Sequence, residues 1–173
     1  MLCCKRAQII WSLIFILGCG FQPAFKKGTE SIIESEMRFL EISPIKDRIG
    51  QKLRNHLVQE ITPLGRARPS KYRLIITLSE TKQNLAIKKS EIATRANLQF
   101  VAKYDVISKS SGALLTHGSS RITTSFNILN QSFATMVAEK NARDRAVREI
   151  SADIGVKIAG FFRVNKSVKG RNR

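Results

Sequence analysis

Cys3, Cys4 and Cys19 are the only thiols in this 173-residue chain, and His56 and His117 the only imidazoles. Two groups of cations complete the side chains able to bind or react: Arg66, Arg68, Lys71 and Arg73 in one stretch, and Lys88-Lys89 in another, with Lys140 a more isolated candidate. Guanidinium forks suit bidentate contacts with phosphate or carboxylate, and lysine supplies a point charge. A solvated polar surface would account for the same residues. The whole chain carries 30 Lys+Arg against 13 Asp+Glu, a formal charge of +17. Such a field favours polyanions: nucleic acid, anionic lipid headgroups or acidic glycans.

The sequence holds no GxSxG, no HExxH and no glycine-rich loop able to cradle phosphate. Its carboxylates are few and mostly fall in helical charge pairs, so enzyme activity is not expected. His56 sits beside an apolar stripe with no partner at ligand spacing, and no metal centre is expected either.

The first thiols belong to a distinctive segment. Lys5 and Arg6 precede an apolar run from Ile9 to Leu17. That run is shorter than the ~20 residues a membrane-spanning helix needs, and it has the length of a signal-peptide core. Ile16-Leu17-Gly18-Cys19 then resembles the lipobox of bacterial lipoproteins. The resemblance implies that the Cys19 thiol accepts a diacylglycerol, that the chain is cut before Cys19, and that the new amine is acylated. Leu17 is bulkier than the small residue usual there. Gly20 in place of Asp gives no inner-membrane retention signal of the enterobacterial type. An uncleaved anchor with an incidental cysteine is the alternative. Removing residues 1–18 would leave Cys19 as the sole thiol, with no disulfide or cysteine-based zinc site available.

These groups need elements to position them. Gly20 to Ser35 reads as a tether. Met37–Ile42 predicts a first strand ended by Pro44. Asp47–Ile61 predicts a helix, with Asp47 as its cap, Ile49, Leu53, Leu57 and Ile61 as its stripe, and Pro63 and Gly65 as its stop. Tyr72–Leu78 predicts a second strand, made nearly continuous in apolar character by Ile75, as in a central strand. Thr94–Val106 alternates for a long stretch: Ala96, Leu98, Phe100, Ala102, Tyr104 and Val106 face one way, and Arg95, Asn97, Gln99, Lys103 and Asp105 the other.

Lys109–Gly112 predicts a turn into a strand over Ala113–Phe126, with Gly118 a candidate bulge. A long last helix begins at Ser132, also placed as a cap. Its expected inner face is Phe133, Met136, Val137, Ala146, Val147, Ile150, Ile154, Ile158 and Phe161. Glu139/Arg143 and Asp144/Arg148 are expected i,i+4 pairs on its outer face. The organisation expected is a signal over 1–18, a lipidated tether over 19–35, a domain over 36–163 and a basic disordered tail over 164–173. The fold class is α+β: two helices on one face of a mixed, mostly antiparallel four-stranded sheet, in the order βαβββα.

Taken together, these residues resemble the LPS-assembly lipoprotein LptE family in its alphaproteobacterial form. The resemblance rests on Gly18-Cys19-Gly20-Phe21-Gln22-Pro23, on Asp47–Asn55 of the first helix, and on Pro69-Ser70-Lys71-Tyr72-Arg73-Leu74. It continues through Ala93-Thr94-Arg95-Ala96, Tyr104-Asp105-Val106, Ser125-Phe126-Asn127, Phe133-Ala134 and Glu139-Lys140-Asn141-Ala142. Phe126 stands where tyrosine is more usual, and Phe25 where tyrosine followed by glycine is expected.

The resemblance implies an outer-membrane lipoprotein on the periplasmic side, held by N-acyl diacylglycerol on Cys19. It would plug the LptD β-barrel, assist that barrel's assembly, and contact lipopolysaccharide during delivery to the outer leaflet. Lys88, Lys89, Arg66, Arg68, Lys71, Arg73 and Lys140 are the lipopolysaccharide-binding candidates, with no catalytic residue and no resident cofactor. Arg95, Asn97, Gln99 and Lys103 would suit a polar barrel lumen, and an ordinary solvated sheet face would account for them equally well. Two rivals stand beside this reading. One is a basic nucleic-acid-binding module, which the βαβββα order suits but which lacks the aromatic stacking platform such sheets use. The other is a structural envelope lipoprotein without a ligand.

Overall fold

A computed structural model describes residues 35–63, 65–86 and 93–171. The signal, Cys19 and nearly all of the tether lie outside the described residues, as does the connection that holds Lys88 and Lys89. The described chain runs β1 (Leu40–Ile42), α1 (Asp47–Ile61), β2 (Tyr72–Ala86), β3 (Ala93–Ser108), β4 (Leu114–Asn127) and α2 (Ser132–Arg171). The strands lie side by side in the order β1-β2-β3-β4. β1 runs parallel to β2, and the other neighbours are antiparallel. The expected α+β class, with its mixed sheet and two packed helices, is therefore the fold observed.

Sequence periodicity accounts for most of this. On β3 the six residues from Ala96 to Val106 that share one face are all buried, and Leu98 and Phe100 are fully enclosed. On α1 the buried stripe is Gly50, Leu53, Leu57 and Ile61, with Ile49 only partly covered. Gly50 takes the inner position because Ile45 packs against it: a β-carbon there would lie 2.6 Å from Ile45 Cγ2. Leu40, Ile42, Leu74, Ile150, Ile154 and Ile158 close the core between sheet and helices.

The helix starts differ from expectation. Lys46, not Asp47, occupies the α1 cap and makes no side-chain cap bond. Asp47 adopts a left-handed φ of 65°, a conformation that aspartate tolerates better than most residues. Gln51 reaches back instead, donating its amide to the Ile45 carbonyl. At the start of α2, Thr135 does the fastening: its hydroxyl accepts from the Leu129 N–H and donates to the Leu129 carbonyl.

Further expectations are corrected. β2 continues eight residues past Leu78, to Ala86. Ile75 is not enclosed but 38% exposed, because one face of β2 has no helix over it. On α2, Phe133, Met136 and Val137 are exposed, at 73%, 61% and 39%, and the first buried residue is Ala142. Further along, Phe162 rather than Phe161 completes the inner face and stacks on Tyr72, 5.1 Å between ring centroids. The helix α2 runs on to Arg171.

Gly118 proves to be a site of close approach. Opposite it on β3 stands Tyr104, and a β-carbon at 118 would lie 2.5 Å from the Tyr104 hydroxyl. The tyrosine ring covers the bare backbone of β4, and burial pushes the phenol pKa up. The register irregularity of this strand pair falls elsewhere, between Val106 and Ile107.

Candidate functional site

Sheet register sorts the polar residues by face. Opposite the helices, successive rows read Thr77–Lys103–Ser119, Ser79–Val101–Arg121, Thr81–Gln99–Thr123, Gln83–Asn97–Ser125 and Leu85–Arg95–Asn127. Arg95, Asn97, Gln99 and Lys103 thus share one face, as the alternation implied. The face is rich in hydroxyls and amides, carries several cations, and extends about 50 Å along β3 at 3.3 Å per residue. Ser125 Oγ hydrogen-bonds Asn97 Oδ1 at 2.8 Å across it.

The helical face is tied down by charge. Arg143 on α2 pairs with Glu80 of β2 at 2.8 Å and with Glu139 of its own helix, the expected i,i+4 pair. Lys82 of β2 pairs with Glu139 at 2.8 Å and lies over the Phe126 ring. Asp144 does not pair with Arg148; it binds Lys52 of α1 and so joins the two helices. Burial alone would raise the Glu139 carboxyl, but Lys82 and Arg143 outweigh it and hold it below the usual value.

A group with a depressed folded pKa adds stability above its unfolded value, near 4.5, and loses it as pH falls through the folded value. Urea midpoints should therefore drop below about pH 4.5 in the native chain. Glu139→Gln should be less stable at neutral pH and show a flatter acid limb. An unchanged acid limb would mean that these ion pairs contribute nothing.

The far side of β4 is a free sheet edge, and α2 guards it. Lys157 Nζ donates to the Ser119 carbonyl at 2.9 Å, and Arg145 Nη2 to the Ser125 carbonyl at 3.2 Å. Covering outward carbonyls with cations is a recognised defence against edge-to-edge pairing.

The described lipopolysaccharide candidates, Arg66, Arg68, Lys71, Arg73 and Lys140, divide between two ends of the sheet. Arg66, Arg68, Lys71 and Arg73 lie just before β2 and at its start, all exposed. Lys71 rests 4.1 Å above the Phe39 ring. Sequence reading missed Lys109 here, because it fell in a predicted turn. Its Nζ binds Glu41 and donates to Ser70 Oγ at 2.7 Å. Those bonds, from Lys109 first and Ser70 next, hold the Glu41 carboxyl low. Lys71, Lys109, Ser70, Ser108 and Ser110 line a cleft of about 450 Å³.

The other end of β2 is about 46 Å away along the strand. There Ala86 pairs with Ala93, the residues on either side of the undescribed connection. Lys140 is exposed on the first half of α2, near this end. So are the apolar Leu129, Phe133, Met136 and Val137.

No family model matches the sequence, and no curated protein matches it. Solved structures do match in fold. A candidate lipoprotein from Caulobacter crescentus shares 18% identity at TM-score 0.63, covering 77% of this chain and 97% of that one. Rare lipoprotein B from Shewanella oneidensis shares 12% at TM-score 0.53, covering 74% and 98%. Lipoprotein B from Nitrosomonas europaea shares 15% at TM-score 0.56, covering 70% and 82%. At such identities the likeness is one of fold. The chain has the α+β architecture found in these bacterial lipoproteins.

Proposed function

We propose that this chain is an LptE-type outer-membrane lipoprotein, acylated at Cys19, that plugs an LptD-type β-barrel, assists its assembly and contacts lipopolysaccharide. The observation that carries the reading is the bare sheet face, mostly polar with Ile75, Leu85 and Val101 set among its hydroxyls, amides and cations, and left uncovered by both helices. The lumen of a large barrel is polar and offers matching hydrogen-bond partners. The fold shared with bacterial lipoproteins and the lipobox-like junction at Cys19 support an envelope location.

For lipopolysaccharide the better end is the one beyond Ala86. Its neighbourhood combines cations with exposed Phe133 and Met136, which suits an amphiphile bearing phosphates and acyl chains. Lys88→Glu/Lys89→Glu should weaken lipopolysaccharide binding at low salt by about tenfold or more, since one charge-assisted contact is worth roughly 1.5–3 kcal/mol. Unchanged affinity in the folded variant would remove both lysines from the site.

A further inference from the structure

Arg66, Arg68, Lys71 and Arg73 sit at the opposite end of the second strand from Lys140, too far to share one headgroup with it, and they need their own explanation. The segments 35–41, 65–73, 107–113 and 161–165 meet at this end, tied by bonds such as Ala67 N–H to the Arg38 carbonyl and Lys109 N–H to the Lys71 carbonyl. They hold seven cationic side chains and two carboxylates, Glu36 and Glu41. Glu41 is already engaged by Lys109, and Glu36 by the Tyr72 hydroxyl. Among the described residues, Arg66, Arg68 and Arg73 form no salt bridge.

Two more observations narrow the partner. Leu114 and Leu115 open β4 at this same end, 55% and 37% exposed, so apolar side chains border the cations. A soluble polyanion has no use for them, whereas the interfacial region of a lipid layer takes up both kinds of group. The described chain also enters here: Ser35 is sixteen residues after Cys19, and the intervening chain reaches at most about 55 Å.

We infer that this basic end of the sheet contacts an anionic phospholipid surface, the leaflet that holds the acylated Cys19, with the Ala86–Ala93 end directed away from it. The inference rests on the acylation reading above. Near an anionic surface each cation biases docking about fivefold. Docking here would fix the tilt of the sheet relative to the membrane.

The test uses the acylated mature protein on vesicles of phosphatidylcholine, with or without phosphatidylglycerol, and with neither lipopolysaccharide nor barrel present. Fluorophores are placed through Ser110→Cys at the basic end or Asn130→Cys at the other, and quenching by headgroup-labelled lipid is read. Retention on pure phosphatidylcholine reports acylation separately. The expected result is strong quenching at Ser110 and weak quenching at Asn130, only with phosphatidylglycerol. Arg66→Glu/Arg68→Glu/Arg73→Glu should bring the Ser110 signal down to that of Asn130, and Leu114→Asn/Leu115→Asn should reduce it in part. Lys46→Glu/Arg48→Glu/Arg148→Glu, equal in charge change but outside this end, should leave it intact. Equal quenching with and without phosphatidylglycerol, or an equal loss in the control variant, overturns the inference. So does a triple variant that loses lipopolysaccharide binding while its quenching stays unchanged, which would make this end a ligand site.

Discussion

Replacing Phe100 with alanine should lower the unfolding free energy by about 3–5 kcal/mol and the melting temperature by roughly 10 °C. Phe100 is fully enclosed, set on the third strand between Glu80 and Ile122 of its neighbours. Its removal forfeits the transfer free energy of the ring and leaves a cavity that two packed helices cannot collapse into. Val101, one residue on, points to the bare face, and Val101→Ala should cost about 1 kcal/mol or less. Thermal and urea unfolding of the two variants therefore test the face assignment as well as the core. Equal costs would mean that both faces are packed within the chain, and the open surface would no longer need a partner.

Cys19→Ser should abolish palmitate labelling and membrane fractionation. Sulfur is intrinsically a far stronger nucleophile than the hydroxyl oxygen of serine. Each acyl methylene buried in the bilayer contributes roughly 0.8 kcal/mol, so losing the chains removes most of the anchoring free energy. Cys3 and Cys4 remain in the variant, so persistent labelling would place the acyl group elsewhere and sink the lipobox reading.

The sequence made legible those parts of the fold where apolar periodicity is uninterrupted. The span of the first helix, Asp47–Ile61, with Leu53, Leu57 and Ile61 of its stripe, and the buried face of the third strand, Ala96 to Val106, were readable in this way. The extension of the second strand was not. Its inward residues past Leu78 are Glu80 and Lys82, which pair with Arg143 and Glu139 of the last helix rather than entering an apolar core. A hydropathy pattern registers such residues as loop. The length of the third strand was the available signal, since sixteen residues with one buried face require a partner of similar length.

The start of the last helix misled for a related reason. Large apolar side chains at 133, 136 and 137 read as core, but the helix meets the sheet through Ala142 and Ala146, where small residues allow close approach. The candidate site was legible as residue types, not as geometry. Arg66 to Arg73 and Lys140 could be named, but their separation along the second strand, and the part played by Lys109, follow from pairings between residues far apart in sequence.

Purification of the tagged, acylated chain from membranes in mild detergent, with mass identification of whatever accompanies it, tests the central claim most directly. The account predicts a large outer-membrane β-barrel, recovered in equimolar amount. Bound RNA, or the chain alone under conditions that keep membrane complexes intact, would contradict it.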